Sequence, residues 1–327
     1  MRYALRRAGF YLFTAWAAVS VNFVIPRLMP GNPVEALLVK FKGRLSPSAV
    51  NAISALFGTS HRSLWSSYIL YWRDLFSGNL GISFTFFPYT VLWVIRSSIF
   101  WTLGLVGIST VISFVIGTLI GIFAGWKRGS WLDHLLPTAT FFTAVPYFWL
   151  GLLMLYVFGQ VVRIFPISGA YSVSMTPGFS LSFIGSIALY GFLPVSTLVL
   201  SSVAGWIIQM RNMMITVLGE DFVLMAEAKG LPRRRIIFTY AARNAVLPSI
   251  ASFALSLGFV VSGALLTEVV FDYPGIGYQL YQAVRNLDYP LMQGIFLMIT
   301  LCVLAANLFA DVLYAVLDPR TRGGRQA

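Results

Sequence analysis

Long apolar runs separated by short charged segments set the pattern of this chain. A transmembrane helix needs about 20 mostly apolar residues, and six uncharged runs come close to or exceed that length. They are Ala8–Pro26, Ile99–Trp126, Leu135–Val162, Ile164–Met210, Asn244–Thr267 and Tyr289–Ala310. Near its start the longest run contains ISGAYSVSMTPGFS, a loop-forming composition that leaves a span from about Phe183 to Met210. The pattern predicts an all-α integral membrane fold with six transmembrane helices.

The charges between the runs predict how the helices cross the membrane. Most Lys and Arg residues lie at the N-terminus, between spans two and three, between spans four and five, and in the tail. Such loops face the cytoplasm, so both termini are predicted to be cytoplasmic. A cleaved signal peptide is an alternative for the first run, which follows Arg2, Arg6 and Arg7. Its apolar core exceeds the usual length and no clean A-x-A site closes it before Asn22, which favours an uncleaved first helix.

This topology divides the chain into four segments. They are a first transmembrane helix with a cytoplasmic N-terminus (1–29), an external subdomain (30–98), a five-span core that includes the cytoplasmic loop 211–248 (99–317), and a cytoplasmic tail (318–327). The external segment combines aromatic residues with turn signals at Ser46-Pro47 and Gly78-Asn79, which predicts short helices.

Composition narrows the functional classes. Hydrophobic residues make up 58% of the chain and the mean hydropathy is +0.79, both higher than in soluble domains. The basic residues behind the net charge of +12 lie between the apolar runs. Their placement indicates orientation in a membrane and excludes a nucleic-acid partner. There is no P-loop, His61 and His134 lie far apart in loops, and no His–carboxylate pair could activate a Ser. We therefore expect no enzyme, no metal and no cofactor in this chain, and Cys302 as a buried apolar residue.

The cytoplasmic segment between spans four and five is unusually basic. Glu220 and Asp221 favour a helix start, whereas Gly230 and Pro232 favour its end, so Glu220–Gly230 is predicted to be a short helix. A basic elbow follows at Arg233, Arg234 and Arg235, before a second helical stretch. Two interpretations stay open on these residues alone. The helix either receives another protein's surface or rests on anionic lipid.

The motif within this segment resembles a known family. Ala226-Glu227-Ala228-Lys229-Gly230-Leu231, followed by Asn244-Ala245 and Leu247-Pro248, resembles the EAA-type loop of ABC importer permeases of the oligopeptide/dipeptide type. The resemblance implies a coupling helix that docks in a groove of a cytoplasmic ATPase. Glu227 stands where that family more often has a basic residue, so no particular ion pair with the ATPase is implied.

Further motifs extend the resemblance over nearly the whole chain. They are Met29-Pro30-Gly31-Asn32-Pro33, Gly78-Asn79-Leu80-Gly81-Ile82-Ser83, Val145-Pro146-Tyr147-Phe148-Trp149-Leu150-Gly151, Phe165-Pro166-Ile167-Ser168-Gly169, the stretch Thr267-Glu268-Val269-Val270-Phe271-Asp272-Tyr273-Pro274-Gly275-Ile276-Gly277, and Leu317-Asp318-Pro319-Arg320. Each motif is weak alone, but together they are specific.

The resemblance implies a permease subunit of an ATP-driven importer in a bacterial or archaeal plasma membrane. Its implied partners are a second related permease, two ATPase subunits or domains that hold ATP and Mg, an external solute-binding protein, and the lipid bilayer. Oligopeptides or dipeptides are the expected substrates, with short oligosaccharides or nickel chelates as alternatives. The alternative from another class is an ion-driven secondary transporter, which usually shows inverted repeats and intramembrane charges that are not evident here.

Polar and small residues within the spans predict helix contacts. Asn22, Gln209, Glu268, Asn307 and Asp311 are costly to bury, and we interpret them as caps or interhelical hydrogen-bond sites. On the second span, Gly104, Gly107, Gly117 and Gly121 predict close helix packing, within the chain or against a partner. No substrate-binding residue is assigned.

Overall fold

The computed structural model describes residues 2–30, 63–127, 129–131, 140–258, 260 and 264–317, with side chains from 9 to 308. Within these ranges the chain is helical, apart from loops and an isolated bridge between Ile82 and Thr90. Outside the described residues lie the predictions made for Gly31-Asn32-Pro33, Ser46-Pro47, His61, His134, the Asp311 side chain and the tail 318–327.

The helices follow one another as α1 (Arg2–Leu28), α2 (Leu64–Phe76), α3 (Val91–Trp126), α4 (Tyr147–Met154), α5 (Leu181–Leu218), α6 (Asp221–Ala228), α7 (Arg233–Arg235), α8 (Arg243–Gly258), α9 (Leu265–Val270), α10 (Ile276–Arg285) and α11 (Tyr289–Leu317). Two π-helical segments extend them: Leu155–Val161 continues α4, and Ile236–Ala242 joins α7 to α8. Capping fixes several ends. At α5, for example, the Ser180 hydroxyl accepts a hydrogen bond from the Phe183 N–H.

Four helical stretches in the described part of the chain are long and apolar enough to cross a membrane. They are Gly9–Leu28, Val91–Trp126, Leu181–Leu218 and Tyr289–Leu308, and they coincide with four predicted spans. Two begin or end beyond the predicted limits, because Arg96 and Arg211 lie inside α3 and α5. A single charge ends an uncharged run without ending a helix.

The third and fifth predicted spans look different. At the third, the described residues are helical at 140–144 and again from Tyr147 to Val161, with a break at Val145-Pro146. At the fifth, α8 ends at Gly258 and α9 begins only at Leu265. One continuous helix from Asn244 to Thr267 is therefore wrong, since the described residues place a break inside that run.

The chain forms two compact units, Met1–Phe100 with Gly275–Leu304, and Trp101–Pro274 with Ala305–Ala327. In the first unit, α1 packs beside α11. Asn22 is buried, and its Nδ2 donates a hydrogen bond to the Gln293 carbonyl at 2.8 Å. This contact confirms the predicted interhelical role of Asn22. The C-terminal half of α1 lies beside the N-terminal part of α11, so the two helices run antiparallel.

A buried carboxylate organises the start of α11. Asp288 accepts a hydrogen bond from the Leu291 N–H at 3.1 Å, which caps the helix. Its other oxygen accepts from the Ser83 hydroxyl and, at 2.8 Å, from the Thr85 N–H. The loop that follows the Gly78-Asn79 turn is thereby tied to α11. The predicted turn is confirmed, since Gly78 has a φ of +73° and the Asn79 N–H bonds the Asp74 carbonyl.

In the second unit, α3 and α5 pack along a ridge of small residues. A methyl group added at Gly117, Gly121 or Gly125 would lie 2.4, 2.7 or 2.5 Å from the Cβ atom of Trp206, Met210 or Met214, respectively. One turn earlier, Ser113 and Ser202 share a hydrogen bond of 2.8 Å. The register rises on both helices together, so α3 and α5 run parallel. Close packing is confirmed at Gly117 and Gly121, whereas no described residue outside the helix's own backbone lies within 4 Å of a methyl group added at Gly104 or Gly107.

α8 packs on α5 in the opposite direction. Gln209 donates to the Ser252 hydroxyl at 3.0 Å, and Met214 shares a buried cluster with Ala241 and Ala245. Residues that come later on α8 therefore contact residues that come earlier on α5. The two helices run antiparallel, and the segment 219–242 that joins them lies at one end of the pair.

Candidate functional site

The connection between α5 and α8 holds the candidate site, and α6 is its central element. Glu220 occupies the N-cap position in an extended conformation, and Asp221 places a carboxylate at the positive end of the helix dipole. At the other end, Gly230 has a φ of +69°, which glycine adopts without strain. The predicted helix is confirmed, with bounds Asp221–Ala228.

Two backbone hydrogen bonds define how α6 ends. The Gly230 N–H bonds the Glu227 carbonyl at 2.9 Å, and the Leu231 N–H bonds the Ala226 carbonyl at 3.3 Å. This pairing is a Schellman motif, in which a left-handed residue lets the chain reverse and satisfies the last carbonyls. Leu231 then packs against the cluster that contains Ala226, as the hydrophobic contact of such motifs requires.

One face of α6 is anchored to the second unit. Val223 and Ala226 are three residues apart, share a helix face and are fully buried. They join a cluster with Met210 and Met214 from α5 and Ile236 from the π-helical segment. This apolar contact fixes the orientation of a helix too short to be stable alone.

The outward-facing side of α6 is mostly apolar and exposed, with the charged Asp221 at its start and Glu227 at its edge. Leu224 and Met225 are 52% and 64% exposed, Phe222 is 41% exposed, and Ala228 is also exposed. An anchored helix with an exposed apolar face resembles the core of a docking surface more than a charged, solvated surface. Sequence reasoning did not single out Phe222, Leu224 or Met225. Leu224 and Met225 lie opposite Val223 and Ala226 on the helix, and Phe222 lies beside Ala226, so helical spacing was the available signal.

The structure separates the predicted site residues into three groups. Ala226 and Leu231 face the core of the second unit. Glu227, Ala228 and Lys229 are exposed beside the apolar face, and Gly230 forms the turn. Arg233, Arg234 and Arg235 are exposed on the next helical turn, which begins at Pro232. Basic charge therefore borders the apolar face on the C-terminal side of α6.

A second cluster in this unit surrounds a buried carboxylate. Glu268 is fully buried, and the Thr102 hydroxyl donates to its Oε1 at 2.7 Å, which confirms the predicted interhelical bond. The Tyr273 N–H bonds the Glu268 carbonyl at 2.8 Å. Burial and the nearby Glu268 charge raise the pKa of the Tyr273 phenol to about 12. These contacts hold the end of α9 and the turn that follows it, and the arrangement contains no nucleophile–base pair.

Comparison with known proteins shows the family of this chain. A family model described as the inner membrane component of binding-protein-dependent transport systems matches residues 117–323, more than half of the chain. The chain belongs to this family. The permease is also 32% identical, over 99% of its length and 100% of the relative, to the di/tripeptide transport system permease protein DppB of Pseudomonas aeruginosa. It is 30% identical to the dipeptide transport system permease proteins DppB of Escherichia coli and Alkalihalophilus pseudofirmus, over 98% of its length and 99% of theirs.

Family membership settles the general role of the chain. It is a multi-pass inner membrane permease subunit of an ABC importer, as the motifs indicated. Such systems combine permeases with ATPases and a solute-binding protein, and the ATPases hydrolyse ATP. The permease is therefore a transport subunit rather than an enzyme.

Proposed function

We propose that the permease forms half of the translocation path of an importer for dipeptides or oligopeptides. Its relatives in Pseudomonas aeruginosa and Escherichia coli are named as di/tripeptide and dipeptide permeases, and the similarity covers nearly the whole chain. A second, related permease would supply the other half, and two ATPase subunits or domains would hold ATP and Mg. An external solute-binding protein would deliver the peptide.

The helix directions support six spans with both termini in the cytoplasm. Parallel α3 and α5 need a return crossing between them, which the stretch from Tyr147 to Val161 would provide. α8 runs back against α5, and α11 runs against α1. If Arg2, Arg6 and Arg7 hold the N-terminus inside, the same side contains α6 and its basic elbow.

The exposed apolar face of α6 supports a coupling role. Closure of the two ATPases would move this helix and its counterpart on the second permease, and rigid-body motion would open the path to alternate sides. Anchoring by Val223 and Ala226 lets α6 transmit a push to α5 and α8. Lys229 and the arginine elbow would lie at the ATPase or at anionic lipid.

The test is purification of the tagged permease from its native membrane in mild detergent, followed by uptake assays with the recovered complex in vesicles. We expect a second permease, P-loop ATPases and ATP-dependent uptake of a labelled dipeptide supplied with the binding protein. Uptake of nickel chelates or oligosaccharides instead would replace the peptide assignment. Recovery without any ATPase, and uptake driven by an ion gradient, would overturn the coupling proposal.

Gly230 offers a selective test of how α6 must end. A methyl group there would meet no atom of the described residues within 4 Å, so in this part of the chain only the left-handed backbone opposes substitution. We expect Gly230→Val to cost about 1–2 kcal/mol locally and to lower uptake, because the Schellman turn can no longer form without strain. Gly230→Asn is the matched control, since Asn tolerates this conformation. Equal uptake by the two variants, at equal membrane levels, would contradict the prediction.

A further inference from the structure

A cavity of about 240 Å³ lies within the first unit, where α1, α2 and α11 come together. Its lining is about equally polar and apolar and includes two opposite charges, Arg27 and Asp74. Tyr71, Asn79 and Gln293 add hydrogen-bonding groups to the same wall. None of these side chains belongs to the α6 surface.

The Arg27 side chain is held in place by two contacts with Phe23. Its Nη1 donates to the Phe23 carbonyl at 2.7 Å, and its guanidinium lies 3.5 Å from the centre of the Phe23 ring. A guanidinium has five N–H donors, and these contacts engage one of them among the described residues. The cation–π contact fixes the group without neutralising its charge.

The carboxylate on the other wall comes from α2. Ser67, Leu70, Tyr71 and Asp74 all line the cavity, and their spacing places them on one face of the helix. Asp74 is half-buried, and within the described part of the chain its carboxylate accepts no hydrogen bond. Arg27 and Asp74 share the cavity but form no ion pair with each other. Opposite charges that are held apart leave room for a ligand between them.

We propose that this cavity binds a zwitterion, with its anionic group on Arg27 and its ammonium group on Asp74. Two kinds of molecule carry that chemistry: a phosphoethanolamine lipid headgroup and a free dipeptide. An arginine such as Arg27 pairs with a phosphate or carboxylate through two parallel N–H···O hydrogen bonds. An ammonium group can donate three hydrogen bonds, and the Asp74 carboxylate can accept them. Gln293, whose Nε2 has no partner among the described residues, would add a donor after rotation of its amide.

The depth of the cavity in the membrane favours the lipid headgroup. Arg27 is one residue from the end of the Gly9–Leu28 span, so it lies at the boundary between hydrocarbon and water. The hydroxyls of Ser20 and Tyr68 lie 2.7 Å apart, which places α2 beside the second half of that span. α2 also carries exposed Trp65, Ile69 and Phe76, the composition of a membrane-interface helix. Acyl chains could therefore leave the cavity along this surface.

The test uses the permease co-expressed with its partner subunits and equilibrated with vesicles of phosphatidylethanolamine and phosphatidylglycerol in equal parts. Native mass spectrometry then counts the lipids retained after detergent exchange. We expect preferential retention of phosphatidylethanolamine. Arg27→Gln should lower retention of both lipids about tenfold, since both carry a phosphate. Asp74→Asn should remove the preference, because only phosphatidylethanolamine offers an ammonium group.

Two further variants keep the test independent of general damage. Arg73→Gln changes an exposed charge next to Asp74 outside the cavity and should retain lipid normally. Ser67→Leu fills the cavity without altering its charge and should reduce retention. A parallel arm measures binding of dialanine, a free zwitterion. If Arg27→Gln and Asp74→Asn weaken dialanine binding but leave lipid retention unchanged, the site is supported with a peptide as its ligand. Retention and dialanine binding that are unaffected by all three cavity variants would overturn the proposal.

Discussion

Replacement of Met225 by Asp is expected to lower ATP-driven uptake to about a tenth of the normal rate or less, while the permease still folds. Met225 is 64% exposed and lies at the centre of the apolar face of α6, so the permease itself loses little burial. Docking would instead place a carboxylate in an apolar contact without a partner, which costs about 2 kcal/mol or more. The measurement is dipeptide uptake into vesicles that contain the complete complex.

Three companions separate docking from folding. Asn212→Asp adds a similar charge at an exposed polar position near the same end of α5 and should transport normally. Met225→Leu keeps the face apolar and should also transport. Val223→Asp puts the charge on the buried face of α6 and should lower the yield of folded permease. If a second permease supplies its own coupling helix, as proposed, the ATPases can remain attached, so uptake is the decisive readout. Normal uptake by Met225→Asp would remove α6 as the coupling surface.

The sequence was informative where length and charge decide structure. Runs near Ala8–Pro26 and Tyr289–Ala310 became helices, because the hydrocarbon thickness and the cost of unpaired backbone groups leave few alternatives. Gly230 was predictable as a helix stop, since only a left-handed residue produces that turn. Apolar runs could not reveal the break between Gly258 and Leu265, because hydropathy measures partition into the membrane and not continuity of the helix.

The candidate site was predictable in its location but not in its faces. The motif Ala226–Leu231 placed α6 correctly, yet its small residues alone did not show that Ala226 packs inward and Ala228 outward. That distinction depends on packing against α5 and the π-helical segment, and the residues of both lie outside the six-residue motif. The cavity lined by Arg27 and Asp74 could not be predicted from the sequence, because α1, α2 and α11 meet only in the folded chain.

Gly121→Leu is expected to produce the largest loss of stability of any substitution considered. Two atoms of α5, the Met210 Cβ and the Ile207 carbonyl oxygen, would lie 2.7 Å from the Cβ atom of the new side chain. Backbone cannot move aside as a flexible side chain can, so the helices must separate. Overpacking of this kind costs about 3 kcal/mol or more. The measurement is the thermal unfolding temperature of the purified complex and the fraction recovered as a single species.

The matched control for this prediction lies on the same helix. A methyl group added at Gly107 would have no neighbour within 4 Å among the described residues. Gly107→Ala should therefore be neutral or slightly stabilising by helix propensity, whereas Gly121→Ala should already destabilise. Separation of α3 from α5 would also loosen the cluster of Met210, Met214 and Val223 on which α6 is anchored. Gly121→Ala should therefore reduce uptake more than its effect on the amount of folded permease accounts for. Equal unfolding temperatures for Gly107→Ala and Gly121→Ala would show that the two helices can part without cost, and would weaken the view that α5 transmits the motion of α6.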